Sequence, residues 1–230
     1  MPNILAIDTA TNACSAALYT GGDVVTGRHE DMVRGHAERL LPMIDEVMAD
    51  AGMTSAALEL IAVTVGPGAF TGLRVGLAAA RGLALARSIP CFGATTTETI
   101  AAALHPGGPS AVLIDSKRSD LYVQVFDAQG RPLCQPSAVL PDDLGAFMSG
   151  LDMGSEPLTL AGDGVTRARD ILAESGFDCL DGRVRYPDAA DLARLAAARW
   201  RPGQSLAAPA PLYIRPPDAV VPVNGGRLRP

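Results

Sequence analysis

The chain has 230 residues, 48% hydrophobic and 19% charged, which supplies enough apolar mass for a packed core and excludes a wholly disordered polypeptide. Its 25 acidic residues against 19 basic ones give a formal charge of −6, and only 4% of the residues are aromatic. Phosphate-backbone affinity needs clustered Lys and Arg, and base stacking needs exposed rings, so this composition argues against a free-standing nucleic-acid-binding module.

Taken in order, Asn3 to Ala10 reads as a buried strand, with Ile4, Leu5, Ala6 and Ile7 as a continuous apolar run. Ala13 to Tyr19 and Val24 to Arg28 follow as two more strands around the turn at Gly21-Gly22-Asp23. From His36 to Ala51 the period changes. Leu40, Leu41, Ile44, Val47, Met48 and Ala51 share one helical face, and Gly52 ends it. Leu60 to Val65 is a strand, Gly66-Pro67-Gly68 a sharp turn, and Phe70 to Arg87 a long helix. Cys91 to Ala94 and Thr97 to Leu104 complete a first half, and His105-Pro106-Gly107-Gly108-Pro109 looks like a joint.

Beyond the joint, Ala111 to Ile114, Leu121 to Phe126 and a stretch before Pro141 read as strands. Then come a helix at Asp142 to Met148, a strand at Leu158 to Ala161, and helices at Val165 to Ser175 and Ala189 to Trp200. The last 29 residues hold seven prolines, so regular structure throughout is excluded and a mobile tail over 216–230 is expected. The alternation predicts an α/β fold in two parts, residues 3–105 and 106–215. The segment after Met1 lacks a basic region and no run approaches a membrane span of about 18 apolar residues, so a cytoplasmic protein without membrane contact is expected. Cys14, Cys91, Cys134 and Cys179 are scattered without a CxxC pair and read as small buried thiols.

Three groups of residues could carry function. Gly66-Pro67-Gly68-Ala69-Phe70-Thr71-Gly72 joins a strand to a helix, where backbone amides favour an anion; a phosphate cradle and a plain tight turn both fit. In the helix that follows, Gly72, Gly76, Ala80 and Ala84 recur every four residues and permit close approach of another helix, from the same subunit or from a second one. Asp8-Thr9 at the end of the first strand, and Asp163 between Gly162 and Gly164, occupy places where a phosphate or metal site could sit or where a simple turn bond forms. His29, His36 and His105 form no i, i+4 pair, and neither HExxH nor GxSxG occurs, so no catalytic residue and no metal ligand is assigned.

Ile4-Leu5-Ala6-Ile7-Asp8-Thr9-Ala10, His36-Ala37-Glu38-Arg39-Leu40-Leu41-Pro42 and Gly66 through Gly76, in this order and spacing, resemble the TsaB (YeaZ) family. These are the dimerisation subunits of the bacterial machinery for threonylcarbamoyladenosine in tRNA. Asp115 through Tyr122, Gly162-Asp163-Gly164 and Pro211-Leu212-Tyr213-Ile214-Arg215 agree with the resemblance. It implies two ribonuclease-H-like lobes of the actin/Hsp70-like (ASKHA) type, mixed sheets flanked by helices. It also implies kinship with TsaD, the subunit that transfers a threonylcarbamoyl group to adenosine 37 of tRNAs reading codons that begin with A.

TsaD carries a His-x-x-x-His metal motif where this chain has Thr95-Thr96-Thr97-Glu98-Thr99, so no comparable metal site is expected. Asp8-Thr9-Ala10-Thr11 likewise lacks the Asp-x-Gly phosphate pattern of ATP-using relatives. The resemblance therefore implies a non-catalytic scaffold without a cofactor. Its partners would be TsaD and, through the pair, the ATPase TsaE, with a homodimer when TsaD is absent and only indirect contact with tRNA.

The expected interface comprises His36, Leu40, Met43, Val47, Phe70, Gly72, Leu73, Gly76 and Ala80. A bulky residue at Gly76 is expected to break it while the subunit stays folded. The competing reading is a nucleotide-dependent enzyme or a metallopeptidase-like hydrolase, using Asp8, Thr9, Gly66, Gly68, Gly162 and Gly164.

Overall fold

A computed structural model describes residues 2–104 and 107–215. The joint residues His105 and Pro106 and the expected tail at 216–230 lie outside the described residues. A first sheet contains β1 (Ile4–Thr11), β2 (Ala13–Thr20), β3 (Asp23–Asp31), β4 (Leu60–Thr64) and β5 (Cys91–Ala94), in the order β3-β2-β1-β4-β5. The first three form an antiparallel meander, and β4 and β5 run parallel to β1. A second sheet repeats this plan with β6 (Ser110–Asp115), β7 (Leu121–Phe126), β8 (Ser137–Val139), β9 (Leu158–Ala161) and β10 (Cys179–Asp181), in the order β8-β7-β6-β9-β10. The helices are α1 (His36–Asp50), α2 (Phe70–Arg87), α3 (Thr96–Ala102), α4 (Leu144–Ser149), α5 (Val165–Glu174) and α6 (Ala189–Arg199). Each half thus runs βββαβαβα, the doubled ribonuclease-H-like arrangement that the resemblance implied.

Every residue of β1 is buried because helices cover both faces of its sheet. Leu5 and Ile7 point to α1 and α2, where they meet Leu40, Met43, Val47 and Leu77. Ile4 and Ala6 point the other way, to Ala189, Leu192, Ala193 and Ala196 of α6. The α6 side of the sheet is rich in alanine (Ala6, Ala17, Ala62, Ala94), so an alanine-rich helix lies close on it.

The packing does not follow a cut at residue 105. The final helix of each half covers the other half's sheet: α6 lies on β1 and β2, whereas Ile100 of α3 packs with Val112, Ile114 and Phe126 of β6 and β7. Helices α4 and α5 cover the opposite face of the second sheet through Leu144, Met148, Ala168 and Leu172. Sequence periodicity locates these elements closely. It misses the three-residue strand β10 and the 3-10 turn at Ser55–Ala57, both too short to show a period, and it gives to one helix the 3-10 turn Pro141–Asp143 that precedes α4.

Candidate partner-binding face and inter-lobe cleft

The loop before α2 and the helix's first two turns lie directly against the end of β1. A Cβ at Gly68 would stand 2.1 Å from the Ala10 carbonyl oxygen, one at Gly72 2.1 Å from the Thr9 carbonyl oxygen, and one at Gly76 2.6 Å from Thr9 Oγ1. The Ala69 N–H donates to the Ala10 oxygen at 2.7 Å, and Thr9 Oγ1 donates to the Gly72 oxygen at 2.7 Å. Glycine at 68, 72 and 76 therefore serves the approach of α2 to its own central strand.

This corrects the reading of the small-residue stripe at Gly72 and Gly76, which meet a strand of the same subunit rather than another helix. Leu40, Met43, Val47, Leu73 and Ala80 are likewise buried inside the subunit, so of the nine expected interface residues only His36 and Phe70 reach its surface. His36 is half-buried, its Nε2 3.0 Å from the Thr11 carbonyl oxygen. Phe70 is 51% exposed.

The accessible faces of α1 and α2 carry other apolar side chains. Val33 and Leu41 are exposed, and between the starts of the two helices runs a groove of about 540 Å³ lined by Val33, His36, Ala37, Phe70 and Val75. The helical pattern puts Leu41 on the same apolar face as Leu40 and Ile44, but the structure leaves it exposed, which corrects that reading; Val33 precedes the helix and carries no period.

Two spaces lie between the lobes: one of about 260 Å³ beside Pro67, Phe70 and Tyr122, and a much smaller one at the ends of β1 and β6. Ala10, Asn12 and Gly68 on one side and Asp115, Lys117 and Asp163 on the other enclose about 40 Å³, room for one or two waters and far from the several hundred Å³ of a nucleotide pocket. Of the six residues proposed to hold a nucleotide or phosphate, only Gly68 lines it. Gly66 sits under Leu212, with its missing Cβ 2.9 Å from the Leu212 carbonyl oxygen. Gly162 and Gly164 press on Leu113, where a Cβ would stand 2.0 Å and 3.0 Å from its carbonyl oxygen.

The ammonium of Lys117, the chain's single lysine, bridges the Asp115 and Asp163 carboxylates at 3.2 Å each, and Arg167 adds a 2.8 Å contact to Asp115. Burial lifts the Asp115 carboxyl, but the Lys117 backbone and side-chain N–H groups and Arg167 outweigh it and hold it below the usual carboxylate range. Lys117 takes a left-handed φ of 61°, an unusual conformation for a side-chain-bearing residue.

Asp8 lies on the α6 side of β1. It accepts from Thr64 Oγ1 and from the Ala10 N–H at 3.2 Å, and its second oxygen is buried without a hydrogen-bond partner. Burial pushes its carboxyl up to about 7 against those two bonds. Nearby, His29 Nδ1 stands 3.3 Å from Asp188, which caps α6 through the Ala190 N–H. That bond to Asp188 raises the imidazole above its ordinary value.

Thr95 to Thr99 open α3 as a capping box. Thr95 Oγ1 accepts the Glu98 N–H, Glu98 accepts the Thr95 N–H, and Thr99 donates to the Thr95 carbonyl. Where the resemblance places a histidine pair, these side chains satisfy a helix terminus. Burial raises the Cys91 thiol to about 11 and that of Cys14 to about 12, so both stay protonated at neutral pH.

A biosynthesis protein of Escherichia coli strain K12, described as the tRNA threonylcarbamoyladenosine biosynthesis protein TsaB, is 34% identical over 220 residues, covering 92% of this chain and 94% of its own. The chain belongs to the TsaB family. A TsaB of Bacillus subtilis strain 168 is 29% identical over 76% of the chain and 78% of its own length. The solved structure of YeaZ from Pseudomonas aeruginosa superposes with a TM-score of 0.79 at 29% identity, covering 93% of this chain and all of that one. The family model described as TsaD, tRNA N6-adenosine threonylcarbamoyltransferase, matches residues 29–147. That match spans α1, α2 and the α3 capping box, so this TsaB-family chain is related to the transferase through the segment that carries both the exposed groove and Thr95–Thr99.

Proposed function

We propose that this chain is the non-catalytic subunit of a tRNA threonylcarbamoyladenosine-forming complex. Its partner is the TsaD-type transferase, which modifies adenosine 37 of tRNAs reading codons that begin with A, and TsaE docks on the pair. The observation that carries this reading is the groove between the starts of α1 and α2. Phe70 (51%) and Val33 (74%) are exposed in it, and Leu41 (54%) is exposed farther along α1. Exposed apolar side chains gathered on two adjacent helices suit a protein partner. The capping role of Thr95–Thr99 and the water-sized cleft support an accessory role.

In the absence of TsaD the same face pairs two copies of the chain, and tRNA is reached through the complex. The protein acts in the cytoplasm; no helix among the described residues is long and apolar enough to cross a membrane.

The test uses Leu41→Asp and Phe70→Ala in the full chain, with sedimentation alone and with TsaD, followed by transfer activity of the reconstituted complex. Both variants are expected to keep the wild-type Tm within a few degrees, weaken association at least tenfold, and lower transfer in proportion. Undiminished association in both would remove the groove as the partner face, and turnover by the isolated chain would remove the accessory role.

A further inference from the structure

The segment 201–215 leaves α6 and wraps around the edge strand of the first sheet. Leu206 packs with the α6-side cluster, and Pro209, buried, stands 3.1 Å from where a Cβ at Gly93 of β5 would lie. On the opposite face the Leu212 N–H donates to the Val65 oxygen at 2.7 Å. The Tyr213 ring lies 5.6 Å from that of Phe70, and its hydroxyl accepts from Arg74 Nε at 3.1 Å. The segment then reaches the second lobe, where Arg215 forms an ion pair with Asp120, a fully buried carboxylate at the β6–β7 turn. Ser116 Oγ also donates to Asp120, at 2.7 Å.

Two features turn this path into a device. The lobes are already joined on the α6 side, where α3 meets α6 and Glu98 pairs with Arg199 at 2.7 Å. The strap joins them a second time, on the α2 side, through a carboxylate whose burial is costly without a counter-charge. A cavity of about 260 Å³, lined by Pro67, Phe70, Leu73, Tyr122 and Ile214, remains beneath it, so the strap's last residues are held by the Leu212 bond, by Tyr213 against Phe70 and Arg74, and by Arg215, with open space under the rest.

We propose that residues 201–215 are a latch: Leu212 fastened to Val65 and Arg215 to Asp120 hold the two lobes at a fixed angle, and release of Arg215 lets them hinge about the α3–α6 contact and opens the cavity. The inference does not depend on which protein binds the α1–α2 groove.

The test is hydrogen exchange by mass spectrometry and small-angle scattering on the full chain and on Arg215→Ala, Arg215→Lys and Asp120→Asn. In Arg215→Ala the Leu212 amide and segment 116–122 are expected to exchange at least tenfold faster, with β1 and β6 unchanged. The radius of gyration is expected to rise, and Arg215→Lys to restore part of the protection. Asp120→Asn is expected to match Arg215→Ala, and the double variant to exchange no faster than either. Wild-type protection at Leu212 in Arg215→Ala overturns the latch. So does faster exchange with an unchanged radius of gyration, because the lobes are then held without it.

Discussion

Asp8 and His29 make stability depend on pH near neutrality. The folded Asp8 carboxyl titrates at about 7 against an ordinary 3.8, so between those values the folded chain binds more protons than the unfolded one, and stability falls as pH rises. The raised imidazole of His29 acts in the same sense: its contribution is complete below its unfolded value of 6.5 and is lost as pH rises through the folded one. The groups facing this pair are Thr64 from β4, Asp31 from β3, Cys14 from β2 and Asp188 at the start of α6. The lowered Asp188 carboxyl works in the opposite direction, but at acid pH. The Tm is therefore expected to be lower at pH 8 than at pH 6, and Asp8→Asn should reduce the difference; a slope unchanged in Asp8→Asn would assign it to other groups. Lys117 permits a second measurement at this scale. Both Lys117→Ala and Lys117→Gly take the counter-charge from the Asp163 carboxylate, 5% exposed, and leave it the Asp115 N–H at 2.9 Å, but only glycine relieves the left-handed φ. Urea midpoints should show alanine as the worse replacement, by about 1 kcal/mol.

At the scale of elements, α2 has one face that tolerates no added atom and another that is open. Gly68→Ala would drive a methyl group into the Ala10 carbonyl and is expected to cost about 3 kcal/mol or more, whereas Gly76→Ala presses on the Thr9 hydroxyl, which can give way only by leaving the Gly72 oxygen. A leucine at Gly76 would thus disrupt the subunit itself, which overturns its use as an interface probe that spares the fold. Gly82 has no heavy atom within 4 Å of a would-be Cβ, so Gly82→Ala should stabilise by about 0.5–1 kcal/mol in the same urea titration. The amino-acid pattern revealed α2 and its small-residue stripe but not what the stripe abuts, because a run of glycines and alanines specifies closeness without specifying the neighbour. For the same reason the alanine-rich α6 was legible as a helix and its host sheet was not. Strands β1, β4 and β7 were legible because continuous or alternating apolar runs fix a strand whatever lies beside it. Tyr213 and Arg215 carried no period at all, and only their contacts with Phe70, Arg74 and Asp120 give them a role.

For the whole molecule, the exchange of α3 and α6 makes two topologically complete halves into one cooperative unit. A fragment ending near residue 105 would expose Ile4, Ala6, Ala17, Leu60 and Ala62 where α6 belongs, and the complementary fragment would expose Val112, Ile114 and Phe126 where α3 belongs. Each fragment alone is expected to aggregate or to lack a cooperative melt. The two expressed together should reassemble with a single transition, measured by circular dichroism and size-exclusion chromatography. Two independent melts, one for each fragment, would show that the exchanged helices are dispensable. The exposed groove between α1 and α2 is mounted on this doubled frame.

The place of α6 also governs when the protein can finish folding. Among the described residues β1 is translated before every other element, yet α6, the helix that seals its second face, follows them all, more than 170 residues later by sequence. During synthesis the alanine-lined side of that sheet stays uncovered until α6 has emerged, so the nascent chain offers chaperones a sticky surface over that whole interval and closes it in one late step.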